Sequence, residues 1–399
     1  MERVAVLGVG MVPVDEHWDR SMVDLAGEAA LAAMTDAGME RVDALIVGNM
    51  TAAVGESGQL NLAAQIADWC GWRGLEAYKV EAACASGAAA FRAGIVTVAS
   101  GQVDSVLVVG VEKMSQTEST LTTAALATAA DADYEVPHGP SFVALNALIM
   151  RRYQHEYGWQ HEDFAPFSVN AHANAARNPF ARLRHTISVK EYSRARIVSD
   201  PINILDASPT GDGAAAIVLT RSGKVNGHAN RPTVVVAASA VATDTIGIHS
   251  RREPLRLFAA ERSAHTAYLQ AGLRPDEMDF FELHDAFSIM AALSLEAAGM
   301  AEVGQGPRLA QEGAIRPDGS IPIATFGGLK ARGHPVGATG VYQLVEVTRQ
   351  LWGEAGDNQL SKARVGMAQS IGGTGATVVT HILRIKAKPA SPSLRHSHA

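Results

Sequence analysis

Cysteine is almost absent from this chain: Cys70 and Cys84 are the only two in 399 residues. Two cysteines exclude a disulfide framework and a cysteine-rich metal site, and a reducing compartment is the expected setting. Long apolar runs are missing too, since no stretch approaches the ~18 consecutive apolar residues of a membrane-spanning helix. The start, Met1-Glu2-Arg3-Val4-Ala5-Val6-Leu7-Gly8, has neither the basic opening nor the cleavage site of a secretory signal, so a soluble, cytoplasmic protein is expected. An excess of basic charge is also lacking. The net charge is −7 and the isoelectric point is 6.1, which argues against nucleic acid or an anionic membrane as the main partner. No P-loop and no histidine pair at metal-ligand spacing occurs.

What is present reads as a compact α/β chain. Hydrophobic residues make up 47% and charged residues 19%, enough for a sizeable core shared by two domains. Strand-like runs at Val4 to Gly8, Ala44 to Val47, Ser105 to Val109, Thr233 to Ala237, Phe280 to Leu283 and Val365 to Ala368 alternate with alanine-rich helical stretches. The two halves echo each other. A helix, Ala37-Gly38-Met39, Asp43 and a strand recur as a helix, Ala271-Gly272-Leu273, Asp279 and a strand reaching His284. The reading is an N-terminal half at 1–225, a C-terminal half at 226–385 and a disordered tail at 386–399 holding His396 and His398. The boundary falls in the linker-like stretch Arg221 to Pro232. Periodicity weakens over 113–206, which reads as an insertion able to cover a pocket.

Three short stretches carry chemistry. Cys84 lies in Ala83-Cys84-Ala85-Ser86-Gly87, between a strand at Tyr78 to Glu81 and a helix at Ala88 to Thr97. A helix N-terminus there would lower the thiol pKa and bind an oxyanion. Cys70, beside Trp69 and Trp72, has no such setting and reads as structural. His284 ends an apolar strand in Glu282-Leu283-His284-Asp285-Ala286-Phe287, where α/β proteins present residues to a crevice; it could equally cap the next helix. His334 sits in Gly333-His334-Pro335-Val336-Gly337-Ala338-Thr339-Gly340, a run that lets backbone approach a ligand. A thiol needs a base to become a nucleophile, and a second imidazole can stabilise negative charge on a thioester oxygen. Gly8-Val9-Gly10 lacks the third glycine of a dinucleotide fingerprint. The basic cluster Arg177, Arg182, Arg184, His185, Lys190, Arg194 and Arg196 reads either as a solvated face or as a phosphate contact.

These three motifs, together with Ser208-Pro209-Thr210-Gly211-Asp212-Gly213-Ala214-Ala215-Ala216, resemble the thiolase family over about residues 2–385. The likeness is greatest to the branch of archaeal acetoacetyl-CoA thiolases and the thiolase domain of sterol carrier protein x. It implies a five-layered α/β/α/β/α fold of two similar halves with a loop domain at about 113–206. It also implies ping-pong acyl transfer between CoA thioesters, forming or cleaving 3-ketoacyl-CoA. Residue by residue, Cys84 matches the acylated nucleophile and His334 its base. His284, with His334 beside it, matches the first oxyanion hole, and the N–H groups of Cys84 and Gly372 match the second. Coenzyme A and acyl-CoA enter as substrates, with no permanently bound cofactor and no metal. A homodimer or homotetramer is implied, with a zinc-ribbon/OB-fold protein and HMG-CoA synthase as possible partners in lipid metabolism such as the mevalonate pathway.

One departure matters. Many thiolases carry a second, proton-carrying cysteine where this chain has Ser370, and sterol carrier protein x relatives carry one where it has Ala286. A serine hydroxyl titrates too high to replace a thiolate unaided, so the α-carbon proton falls to His284 or His334. Two rival readings stay open: a retro-aldolase of the same superfamily acting on CoA thioesters with a zinc-ribbon/OB-fold partner, and a silent acyl-CoA-binding scaffold.

Overall fold

The computed structural model describes residues 4–54, 58–116, 118–225 and 231–386. Of the tail, only Lys386 is described; His396, His398 and residues 226–230 of the Arg221 to Pro232 stretch lie outside the described residues.

Eleven strands are present among the described residues: β1 (Val4–Met11), β2 (Ala44–Gly48), β3 (Glu76–Val80), β4 (Ser105–Glu112), β5 (Ile197–Ser199), β6 (Ile202–Asn203), β7 (Gly213–Arg221), β8 (Val234–Thr243), β9 (Phe280–Glu282), β10 (Val365–Gly372) and β11 (Thr377–Ile385). Nine of them form one mixed sheet in the order β3-β2-β4-β7-β1-β8-β11-β10-β9. The internal repeat is visible in that order. Outward from the β1–β8 seam, β1, β7, β4 and β2 on one side correspond to β8, β11, β10 and β9 on the other. The pairing directions match as well: β2–β4 and β9–β10 are parallel, β4–β7 and β10–β11 antiparallel, and the first half adds one further parallel strand, β3, at its edge. The seam is narrow, with register only at Ala5↔Val235 and Val6↔Val234.

Burial divides the apolar residues into layers. Helices Met22–Ala37 and Leu62–Trp69 cover the outside of the first half, where Leu25, Ala29 and Ile66 meet Leu45, Val109 and Val218. Helix Phe258–Ala271 covers the second half. Between the halves, helices Ser86–Ser100 and Thr339–Trp352 pack against each other, with Phe91, Ile95, Val341 and Leu344 in a core fed by both halves of the sheet. The stretch Ala83–Ser100 is apolar and long enough to cross a membrane by composition alone. Half of the stretch is buried, with Phe91, Ile95 and Val98 in this central core, and that packing accounts for much of its apolarity.

Glycine sets how closely these layers approach. A Cβ at Gly340 would stand 2.4 Å from the Ala88 nitrogen, and one at Gly87 2.8 Å from the Gly337 oxygen, so only glycine lets the two central helices cross here. Gly8 and Gly10 have the same role, because a Cβ at either would lie 2.4 Å from backbone of helix Met22–Ala37. Close strand–helix packing thus accounts for the Gly-x-Gly pair.

The weak periodicity of 113–206 conceals helices Ser119–Ala127, Phe142–Tyr157, Ala165–Ala175 and Val189–Arg194. They divide their apolar faces between the main core and one cavity, which blurs any single periodic stripe.

Candidate active site

Local backbone presents Cys84 on a tight turn. β3 ends at Val80, and the next helix begins at Ser86. Ala83 between them has φ of 50°, a left-handed conformation that costs a residue with a β-carbon about 1–2 kcal/mol. Ser86 closes the turn from inside: its Oγ accepts the Ala82 N–H at 2.9 Å and donates to the Ala83 carbonyl at 2.6 Å. Cys84 keeps some surface open to a cavity, yet protein surrounds it closely. Burial, joined by the Glu112 carboxylate, pushes its thiol up to about 12, against the pull of the Gly373 and Cys84 N–H groups. The expected lowering by the helix N-terminus is therefore outweighed, because desolvation penalises the thiolate more than those donors stabilise it. At rest the group is a thiol and needs a base.

His284 and His334 reach the same cavity from the second half of the chain. Their rings meet edge to face with centroids 5.2 Å apart. Each is held by its Nδ1, in opposite senses. His334 Nδ1 lies 2.7 Å from Thr339 Oγ1, and that hydroxyl donates to the Pro335 carbonyl at 3.2 Å. Thr339 is therefore the acceptor, His334 carries its proton on Nδ1, and Nε2 has a free lone pair. At His284 the Ile371 N–H donates to Nδ1 at 3.3 Å, so the ring proton sits on Nε2. One imidazole thus offers an acceptor and the other a donor. Burial, with Arg332 second, lowers His284 to about 3. Burial, then the neighbouring His284 and Arg332, holds His334 well below its ordinary value. Both rings are neutral at pH 7.

The cavity has a volume of about 440 Å³ and a mostly apolar wall, with Leu126, Phe142, Val143 and Met290 among its lining and Ser208, Thr210 and Gly373 at polar points. The N–H that faces the Cys84 sulfur is that of Gly373; Gly372, at the end of β10, comes so near Ala82 that a Cβ would stand 2.5 Å from its carbonyl oxygen. Ser370 is elsewhere: it is buried and donates to Gln343 Oε1 at 2.6 Å. Ala286 lines the cavity. Cys70 is half-buried beside helix Met22–Ala37 and strand β3, away from the cavity. In the basic cluster, Arg182 pairs with Glu16, while Arg184, Lys190, Arg194 and Arg196 are exposed on the segment leading to Val198 at the cavity wall. Among the described residues, no group of three His, Cys, Asp or Glu is placed to hold a metal ion.

Several supporting residues escaped the sequence reading. Glu112, at the buried end of β4, accepts Asn49 Nδ2 at 2.9 Å, the N–H groups of Met50 and Thr51 at 3.0 Å, Thr51 Oγ1 at 2.5 Å and the Gly337 N–H at 2.9 Å. It ties the His334 loop to the first half of the chain. A lone carboxylate ending the apolar run Val106 to Val111 was the available signal. Asp212 gathers the His17, Met114 and Ser115 N–H groups and the Lys113 ammonium; burial opposes its ionisation, yet these donors hold its carboxyl below the ordinary range. Beneath the histidines, Arg332 and Glu346 form a fully buried pair at 2.8 Å. Burial drives Glu346 up to about 8 and Glu282 up to about 7.

A turn-mounted thiol, a base and a proton donor in an apolar cavity between two repeated α/β halves define a nucleophilic acyl-transfer enzyme of layered α/β architecture. The family described as thiolase, N-terminal domain, matches residues 4–223, and the thiolase C-terminal domain-like family matches residues 240–385. The chain belongs to the thiolase family. It is 44% identical to an acetyl-CoA acetyltransferase of Methanothermobacter thermautotrophicus over 96% of this chain and 99% of that one. With an acetyl-CoA acetyltransferase of Methanocaldococcus jannaschii the identity is 36%, covering 97% and 100% of the two chains. A solved structure titled Ltp2-ChsH2(DUF35) aldolase shares the fold, with a TM-score of 0.84 at 22% identity over 97% of this chain and 99% of that one.

Proposed function

We propose that this protein is a CoA-dependent acyltransferase that forms or cleaves 3-ketoacyl-CoA, acetoacetyl-CoA above all, by ping-pong transfer through an acyl group on Cys84. The observation that carries the proposal is the opposed polarity of the two imidazoles beside that thiol. His334, with its free Nε2 lone pair, activates Cys84; His284, with its Nε2–H, holds the oxygen of the incoming thioester. The backbone N–H groups of Cys84 and the Gly372–Gly373 turn hold the acyl-enzyme oxygen. Coenzyme A and acyl-CoA are substrates and no resident cofactor is needed. The exposed basic residues near Val198 favour an anionic CoA end at the cavity mouth.

Retention of the nucleophile and of a base oriented for it favours acyl transfer over retro-aldol cleavage or a silent scaffold. The unpaired cysteines fit a cytoplasmic setting. Family likeness supports a dimer or tetramer, with a zinc-ribbon/OB-fold protein and HMG-CoA synthase as candidate partners and mevalonate-type lipid metabolism as the setting. Intact-protein mass spectrometry after mixing with acetyl-CoA, and separately with acetoacetyl-CoA and free CoA, tests the central step. One acetyl group on Cys84, discharged by CoA, is the expected result. No adduct with either donor would move the aldolase or scaffold reading ahead.

A further inference from the structure

Carbon–carbon chemistry at this site must move two different protons: that of the Cys84 thiol and one from the α-carbon of the second thioester. The described lining of the cavity offers few carriers. Its ionisable groups are Cys84, His284 and His334; its hydroxyl, amide and apolar side chains do not gain or lose a proton near neutrality and so cannot serve as the base. Cys84 is acylated, and so unavailable, when the α-proton leaves. His284 already carries its proton on Nε2, with Nδ1 occupied by the Ile371 N–H, so it can donate a hydrogen bond and has no free lone pair to receive a proton. Ser370 has its hydroxyl proton committed to Gln343, whose amide in turn is tied to the Glu282, Leu283 and Gln369 carbonyls. His334 Nε2 remains.

We propose that His334 is the single acid–base group for both half-reactions, a role that rests on the acyltransferase reading. In the first half, the Cys84 proton passes to His334 Nε2 as the sulfur bonds the acyl carbon. The C–S bond to CoA then breaks, and the proton goes from His334 to the departing CoA sulfur. The imidazole is neutral again. In the second half, the same Nε2 takes a proton from the methyl group of acetyl-CoA, while His284 Nε2–H stabilises the enolate oxygen. The enolate electron pair forms the carbon–carbon bond to the acyl carbon, the C–S bond to Cys84 breaks, and the thiolate recovers the proton from His334. Protons and charge balance over each half, so no second thiol is needed. Thr339 is the positioning residue that keeps the Nε2 lone pair available in both.

Exchange of methyl-deuterated acetyl-CoA with water, followed by mass spectrometry, isolates the second proton. Cys84→Ala removes acylation from the readout, and thermal unfolding checks each variant's fold. Cys84→Ala is expected to lose overall acyl transfer yet keep exchange. Adding His334→Ala should cut exchange by about a hundredfold or more, and adding Ser370→Ala should leave it within about threefold. Exchange that survives His334→Ala, disappears with Ser370→Ala, or is already lost in Cys84→Ala overturns the single-base assignment. Failure of the underlying reading looks different: the wild-type protein would then take up no acetyl group on Cys84.

Discussion

Thr339 Oγ1 lies 2.7 Å from His334 Nδ1 while donating its own proton to the Pro335 carbonyl at 3.2 Å, which fixes the tautomer of the imidazole facing Cys84. Thr339→Val keeps the shape and removes the acceptor. A lost hydrogen bond of about 1.5 kcal/mol corresponds to roughly tenfold in rate, so acylation of Cys84 should slow by at least that, with Thr339→Ser restoring it. Rapid-quench measurement of the acyl-enzyme checks this. Equal rates in the valine and serine variants would remove Thr339 from the mechanism.

The two histidines should separate kinetically. His334→Ala is expected to slow Cys84 acylation and carbon–carbon bond formation alike, by about 10²- to 10⁴-fold. His284→Ala should leave acylation the less affected and depress condensation. Single-turnover acylation and steady-state condensation, measured on both variants, give the comparison. Matching acylation losses in the two would refute the division between acceptor and donor.

Much of this site was legible in the sequence because its reactive groups sit where small residues cluster. Cys84 and His334 are flanked by glycine and alanine, which the structure requires for close backbone approach at Gly87, Gly337 and Gly340. The internal repeat was also legible, since matching helix–strand units fold into matching halves of one sheet. Other features were hidden. The tautomers depend on Ile371 and Thr339, and Ile371 acts through a backbone N–H that its side chain does not advertise. Cys84's raised pKa reflects packing from several segments, which no local motif encodes. Ser370 could be set aside as a thiol substitute on the acidity of its hydroxyl, but that its proton is committed to Gln343 in the core shows only in the folded chain.

Glu112→Ala should cost stability before it costs chemistry. Removal of this buried acceptor leaves the donors of Asn49, Met50, Thr51 and Gly337 unsatisfied, and such losses cost about 1–3 kcal/mol for each orphaned group before relaxation. We expect a fall of about 3 kcal/mol or more in unfolding free energy, read from urea titration, with Glu112→Gln intermediate. A shift below about 1 kcal/mol would mean that the Gly337 loop is held by packing alone.

Acid sensitivity should trace to buried neutral histidines, and His381 is a place to test this outside the cavity. Its Nε2 donates to the Ala88 carbonyl at 3.1 Å, its ring stands edge-on to Phe91 at 4.9 Å, and burial lowers its pKa to about 3. Because the folded value lies below the unfolded one near 6.5, the unfolded chain takes up the proton first as pH falls. Stability is therefore flat with respect to this group above pH 6.5 and declines from there toward pH 3. The raised carboxyls of Glu282 and Glu346 act in the opposite sense, favouring the folded state as pH falls from about 8 to their unfolded values near 4.5, so the wild-type curve mixes both trends. A difference measurement separates them. His381→Gln keeps a donor for the Ala88 carbonyl but cannot be charged, so its stability relative to wild type should rise by about 1.4 kcal/mol per pH unit below 6.5. Urea midpoints at pH 7.5, 6.0, 5.0 and 4.5 would show that slope, and a constant difference across the series would mean that His381 is already charged in the folded protein.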